Sequence, residues 1–355
     1  MYDIAIVGLG PAGATLARLL DQKFRVIAID KKSDADSTAF QKPCGGLLAG
    51  DAQKALSKFN LTLPKAVLVD PQIFAVKTID SKQRLLRYYQ RFYINLDRHR
   101  FDLWLISLIP KRVRIEDRAT CTAVRKKGDA YELSYFKDHV AQTVTARYVV
   151  GADGANSMVR HMLFPDRGIC RYLSIQQWFP EQHTAPFYSC VFDRDITDSY
   201  CWSVSKDGFF ILGGAFPPKT AKQNFELLKQ KLSRQGFIFG APVKTEACLV
   251  SMPRGLRDFC VGEAGAFLLG EAAGFISPSS LEGISYALNS AVALAGVLNS
   301  GRANPARGYR VKTLPIRIKL LLKCLKAPFM YHPLLRKLVM KTGLLSISVL
   351  EQSIK

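Results

Sequence analysis

A short apolar run, Tyr2 to Val7, leads directly into Gly8-Leu9-Gly10-Pro11-Ala12-Gly13. Ala14 to Leu20 then has helical character, and a second apolar run, Arg25 to Ile29, ends at Asp30. No other stretch constrains the fold as tightly, because glycine triplets recur in ordinary turns but seldom between a strand and a helix that together complete a β-turn-α-β unit. Gly8 makes the tight turn, Gly10 lets the backbone approach a pyrophosphate, and Gly13 allows the helix to pack on the strand. The helix N-terminus offers unpaired N–H groups and a partial positive charge to an anion. Asp30 lies 17 residues past Gly13, where a carboxylate can accept from a ribose hydroxyl. The expected fold class is therefore α/β, with a Rossmann-like dinucleotide-binding domain.

The remainder must supply more than this unit. At 355 residues, 48% hydrophobic and 22% charged, the chain suits one large or two modest domains and excludes disorder or a collagen-like repeat. Fifty Lys plus Arg against 29 Asp plus Glu give a formal charge of +21, which favours an anionic partner: a phosphorylated cofactor, an acidic lipid surface or a nucleic acid. Eight cysteines without a C-x-x-C spacing argue against zinc ribbons and iron–sulfur ligation and fit a reduced, cytoplasmic setting. The N-terminus lacks the basic region of a signal peptide, and Asn289, Ser290 and Asn299 make the uncharged stretch Gly283 to Gly301 a buried helix and not a membrane span. His99, His139, His161, His183 and His332 show no metal-ligand spacing.

Strand-like runs are expected at Pro71 to Thr78, Leu85 to Asn95, three times within Cys121 to Val150, and four times within the aromatic-rich stretch Tyr172 to Phe216. Helices are expected at Arg98 to Ile109 and Lys222 to Gln235, and a long one after Gly274 to about Asn299. The late strand Ala266 to Leu269 returns to a Gly-rich end. This order implies interleaved domains: a discontinuous dinucleotide-binding domain (1–64, 97–165, 257–300), an antiparallel-sheet substrate domain (65–96, 166–256) and a basic helical C-terminal region (301–355).

Two further motifs carry a family resemblance. Gly151-Ala152-Asp153-Gly154-Ala155-Asn156-Ser157 with Arg160 resembles the second fingerprint of the para-hydroxybenzoate-hydroxylase-like flavoproteins, and Gly270-Glu271-Ala272-Ala273-Gly274 resembles their third. Arg98, with Phe101 and Asp102, resembles the helix whose arginine reaches the cofactor in that family. The resemblance implies FAD, held by Gly8, Gly10, Gly13, Asp30, Arg98, Asp153, Gly154 and Glu271, with Ala272, Gly274, Gly283 and Ile284 near the flavin ring. Glu271 departs from the usual aspartate, and as an ordinary residue it would cap the following helix.

Lys42-Pro43-Cys44-Gly45-Gly46 and Ser279-Ser280-Leu281-Glu282-Gly283-Ile284 resemble the geranylgeranyl reductase branch of those flavoproteins. Tyr88-Tyr89-Gln90-Arg91 and the segment from Gly270 to Ser277 extend the resemblance along the chain. It implies reduction of prenyl-lipid C=C bonds, with NADPH or a ferredoxin-like protein as electron donor. An unactivated alkene accepts hydride only as a proton begins to add, so an acid must stand near the reduced flavin. Cys44, between Pro43 and the glycines Gly45 and Gly46, is the candidate; its bland alternative is a small apolar filler. Trp178, Tyr200, Trp202 and Phe210 are candidates for a prenyl pocket, or else ordinary sheet core. The same fold also admits aromatic hydroxylases and halogenases, although neither Trp178-Phe179-Pro180 nor Trp202-Ser203-Val204 matches the halogenase Trp-x-Trp-x-Ile motif. A flavin-bearing membrane-stress or binding protein without turnover is a third reading.

Finally, no acidic residue lies between Glu282 and Glu351, while eleven Lys and Arg residues do. On a helix, Lys319, Lys323 and Lys326 share one face and Ile318, Leu321, Leu322 and Leu325 the other. That pattern fits a peripheral anionic-membrane contact by residues 302–341, or a helix docked on the body with a solvated lysine face. Nucleic acid is not expected, because stacking aromatics are not interleaved with the basic residues.

Overall fold

Strands buried on both faces read as unbroken apolar runs, and Ile4 to Val7 and Val26 to Ile29 are buried throughout. The computed structural model describes residues 1–33, 40–181 and 187–349. In it these runs form part of a parallel sheet ordered Ala266–Leu268, Val140–Gly151, Tyr2–Val7, Val26–Ile29 and Arg114–Glu116. The register matters for function. Val7 pairs with Gly151, and Gly151 with Leu268, so the three Gly-rich segments leave adjacent strands at the same carboxyl edge. The N-terminal half of Val140–Gly151 continues a meander with Ala119–Lys127 and Ala130–Lys137.

The helices Pro11–Leu19 and Ile284–Asn299 pack against each other on this sheet. The second is buried nearly all round, as its few polar residues imply. Asn299 donates to the Leu19 carbonyl, and Ser290 accepts from the Gly270 amide. Among the described residues no helix is long and apolar enough to cross a membrane.

The second sheet is ordered Lys244–Ser251, Arg171–Pro180, Phe209–Phe216, Cys201–Lys206, Phe187–Phe192, Ile73–Asp80, Leu85–Asn95 and Ser346–Ile347. Its neighbours are antiparallel except for Phe187–Phe192 with Ile73–Asp80. Alternation along the strands gives it two faces. One buries Ile175, Phe179, Leu212 and Phe216 under the helix Ala221–Ser233, and the other carries Tyr172, Tyr188, Tyr200, Trp202 and Ile211. Phe210 belongs to the first face, against Phe237 and Phe239, and not with Trp202. Its expected place in the pocket is corrected by that alternation, since Phe209 and Phe210 are adjacent and point oppositely.

The basic tail forms three helices, Pro305–Lys312, Leu314–Tyr331 and Pro333–Thr342, and ends in Ser346–Ile347 on the sheet edge. Its anchors are buried. The Tyr309 hydroxyl donates to the Leu268 carbonyl at 2.9 Å, and Arg336 donates to Asp80 at 2.7 Å with both side chains inside the protein. The lysine side of the first long helix is only partly solvated: Lys326 is exposed, whereas Lys319 is half exposed and Lys323 partly buried. Lys319 pairs with Asp51, and both Lys319 and Lys323 lie over the Tyr286 ring, which turns Ile318, Leu322 and Leu325 outward. Leu320 is the fully buried residue of this helix, and the Asp51 carboxylate and the Tyr286 ring hold the Lys319 and Lys323 ammonium groups beside it.

Candidate active site

At the first Gly-rich turn, glycine is required twice for packing and once for space. Gly8 has φ +95°, and a Cβ there would meet the Ala152 carbonyl at 2.6 Å; a Cβ on Gly13 would meet the Gly8 carbonyl at 1.9 Å. A Cβ on Gly10 would meet nothing within 4 Å. The open ground beside Gly10 lies over the start of a helix with no side-chain cap, which suits a pyrophosphate. Asp30 is buried; it accepts from the Leu9 amide and, at 2.7 Å, from the Lys32 amide, and Lys32 also forms an ion pair with it. That web fixes the Asp30 carboxylate beside the turn.

Asp153, in the second segment, accepts from the Ser157 hydroxyl at 2.6 Å and the Met158 amide at 2.8 Å, and so closes the start of the helix Met158–Leu163. Burial raises its pKa in spite of those donors. Gly154 beside it has φ +76°, which favours glycine. Arg160 is a clamp: its guanidinium donates to the carbonyls of Ala272 and Asp258, tying the second segment to the third. Gly274 has φ +83°, and a Cβ there would strike the Asp258 carbonyl at 2.6 Å. Gly283 precedes the helix that begins at Ile284, where Glu282 accepts from the Ser285 amide and hydroxyl.

Glu271 does not cap a helix. Its carboxylate accepts from Lys42 at 2.7 Å and from the Ser251 amide at 2.9 Å, so the extra methylene serves to reach the 42–46 loop. Burial works against the Lys42 charge, but Glu271 and then Cys248 outweigh it and raise the pKa. The Lys42 ammonium also stands 3.7 Å from the position of a Cβ on Gly154, which places it between the second and third fingerprints.

Cys44 is half-buried. Its sulfur accepts from the Gly46 amide at 3.4 Å and lies beside the Arg98 guanidinium. Arg98 is the first residue of the helix Arg98–Ser107 and donates to Asp102 at 2.9 Å. Burial opposes the guanidinium charge, yet Asp102 and Cys44 more than offset it and raise the pKa. A second thiol, Cys248, donates to the Pro43 carbonyl and is pushed up to about 11 by burial. The loop is held from the other side by Lys206, which is buried; its amine donates to the Leu96 and Gly46 carbonyls and to Asn95. Burial pulls that amine down to about 8. A Cβ on Gly46, at φ +63°, would meet the Leu96 carbonyl at 2.3 Å, so only glycine lets the loop pass this close.

The aromatic wall stands opposite. The Tyr200 and Trp202 ring centroids are 5.7 Å apart, Tyr200 donates to the Ser280 carbonyl at 2.9 Å, and the buried Trp202 indole N–H has no partner among the described residues. That indole nitrogen lies 3.9 Å from the position of a Cβ on Gly45. Trp178 is peripheral, donating to Glu246 at 2.8 Å beneath Lys244. The structure thus gathers Cys44, Gly45, Arg98, Glu271 and Trp202 around the 42–46 loop. Lys42, Asn95, Lys206, Cys248 and Ser251 were missed, and only Lys42 had a signal, its place within the Lys42–Gly46 motif. His183 lies outside the described residues. A cleft between Phe179, Phe239 and the helix Ala221–Ser233 is on the far face of the second sheet and holds none of these groups.

The residues present fit FAD: room at Gly10 for a pyrophosphate, and the unpartnered Trp202 indole and Ser251 hydroxyl as polar groups near Cys44 and Glu271. A family model described as an FAD binding domain matches residues 111–211. The crystal structure of a geranylgeranyl bacteriochlorophyll reductase-like protein from Thermoplasma acidophilum is similar, with a TM-score of 0.76 at 19% identity, covering 94% of this chain and 87% of that one. PqsL, a probable FAD-dependent monooxygenase from Pseudomonas aeruginosa, has a TM-score of 0.68 at 18% identity, covering 96% and 99%. Fold and site define an FAD-dependent oxidoreductase. Protein CbrA of Escherichia coli O6:H1 is 51% identical over 350 residues, 99% of this chain and 96% of the relative. The chain belongs to the CbrA family.

Proposed function

We propose that the protein reduces isolated C=C bonds of a prenyl lipid. The observation that carries this reading is the juxtaposition of a thiol with an apolar aromatic wall: Cys44, which accepts from the Gly46 amide beside Arg98, and the Trp202 indole beside Gly45. When bound, FAD in its reduced form supplies the hydride. Cys44 supplies the proton to the other alkene carbon and recovers one from water, and a sulfur already accepting from the Gly46 amide keeps its S–H for another partner. Tyr200 and Trp202 hold the apolar chain and exclude water, and Glu271 with Lys42 holds the 42–46 loop against the second and third Gly-rich segments. The described residues contain one β-α-β dinucleotide unit, so electrons would arrive from transiently bound NADPH or from a ferredoxin-like protein.

Under argon, the reduced protein should convert a geranylgeranyl lipid into a product heavier by two hydrogens. A product heavier by one oxygen, formed only in air, would instead assign a monooxygenase. Cys44→Ala should retain FAD and slow the reduction by roughly 100-fold, the scale for loss of a general acid. Unchanged anaerobic turnover in that variant would make Cys44 a packing residue.

A further inference from the structure

We propose that the outer face of the helices Leu314–Tyr331 and Pro333–Thr342 is a docking surface for an anionic lipid bilayer. Of the twenty-six exposed large apolar side chains among the described residues, thirteen lie between Val311 and Ile347. Ile318, Leu322, Leu325 and Phe329 recur at intervals of four, three and four, which places them on one face of the first helix; Leu334 and Leu338 do the same on the second. All six are at least half exposed. Monomeric proteins seldom leave so much contiguous apolar surface in water.

Charge decides what covers it. The segment has no acidic residue, and Lys326, Lys337 and Lys341 lie on the same two helices. A second copy related by a twofold axis would bring this patch against itself, opposing cations with no carboxylate to pair them. An anionic bilayer satisfies both features, with the leucines inserted at the headgroup boundary and the lysines at lipid phosphates. The buried Arg336–Asp80 pair anchors the second helix to the body, and the half-exposed Lys319–Asp51 pair lies at the edge of the first.

The inner side of the first helix meets the aromatic wall. Tyr331, at the end of the first helix, donates to the carbonyls of Pro278 and Ser279, next to the Ser280 carbonyl that accepts from Tyr200, and its ring lies 6.1 Å from that of Phe192.

The test is co-sedimentation of the FAD-loaded full chain with vesicles of phosphatidylglycerol and phosphatidylethanolamine, or of phosphatidylcholine alone. Wild type should pellet with the anionic vesicles, several-fold less in high salt but not to zero, because apolar insertion is not screened. Leu325→Glu with Phe329→Glu should reduce binding at least tenfold without changing flavin absorbance or the melting temperature. Wild type that stays in the supernatant with anionic vesicles at low salt would overturn the proposal. So would a stable dimer in sedimentation velocity that the same double variant dissociates, since a second copy would then cover the face.

Discussion

Gly10→Val should give a folded, colourless protein. A Cβ at this position meets no protein atom within 4 Å, and the residue sits in the extended region at φ −70° and ψ −171°, so the chain accommodates valine. Loss of glycine at a helix start costs at most about 1 kcal/mol. The new methyl groups would occupy the ground a pyrophosphate needs, and FAD affinity should fall by roughly 100-fold or more. The ratio of flavin to protein absorbance after purification, read beside a thermal melt of FAD-stripped protein, separates the two effects. Gly13→Ala should behave oppositely, losing the fold itself, because its Cβ would lie 1.9 Å from the Gly8 carbonyl. Full flavin occupancy in Gly10→Val would remove the pyrophosphate from this turn.

Arg336→Met should destabilise the protein by about 3–5 kcal/mol, since it strands Asp80, wholly buried, without its partner. The remaining contact at Asp80, from the Gln83 amide at 3.0 Å, does not neutralise a carboxylate. The guanidinium also packs 4.7 Å from the Phe192 ring, so the same change loosens the aromatic cluster that Tyr331 joins. Removing both charges, with Arg336→Met and Asp80→Leu together, should recover most of the loss, because the buried unpaired charge is gone. Urea denaturation of the wild type and of both variants checks this. If the single and double variants are equally unstable, packing and not charge holds the tail.

Periodicity and glycine spacing made the first β-α-β unit legible, and the run Leu85–Asn95 coincides with its strand end to end. Other elements were not legible, for identifiable reasons. Lys244–Ser251 mixes charged and apolar residues because it is an edge strand with one open side, and its pairing with Arg171–Pro180 is a long-range contact. Gly50–Lys58 is a short helix whose apolar positions Ala52, Ala55 and Leu56 are too few to declare a period. The site divides in the same way. Its Gly-rich turns advertise themselves because backbone geometry dictates glycine, whereas Lys206 and Cys248 come to the Lys42–Gly46 loop only through the sheet. The tail shows the remaining limit: amphipathicity gave two faces, and only the position of Asp51 and Tyr286 decided which one turns inward.

The central claim is that electrons leave this flavin for an alkene. Protein carrying FAD, photoreduced under argon and mixed in a stopped-flow cell with a geranylgeranyl lipid, should recover flavin absorbance at a rate that rises and saturates with lipid. The fully saturated lipid of the same length should leave the flavin reduced. If neither lipid accelerates reoxidation while air restores the absorbance at once, the protein is not an alkene reductase.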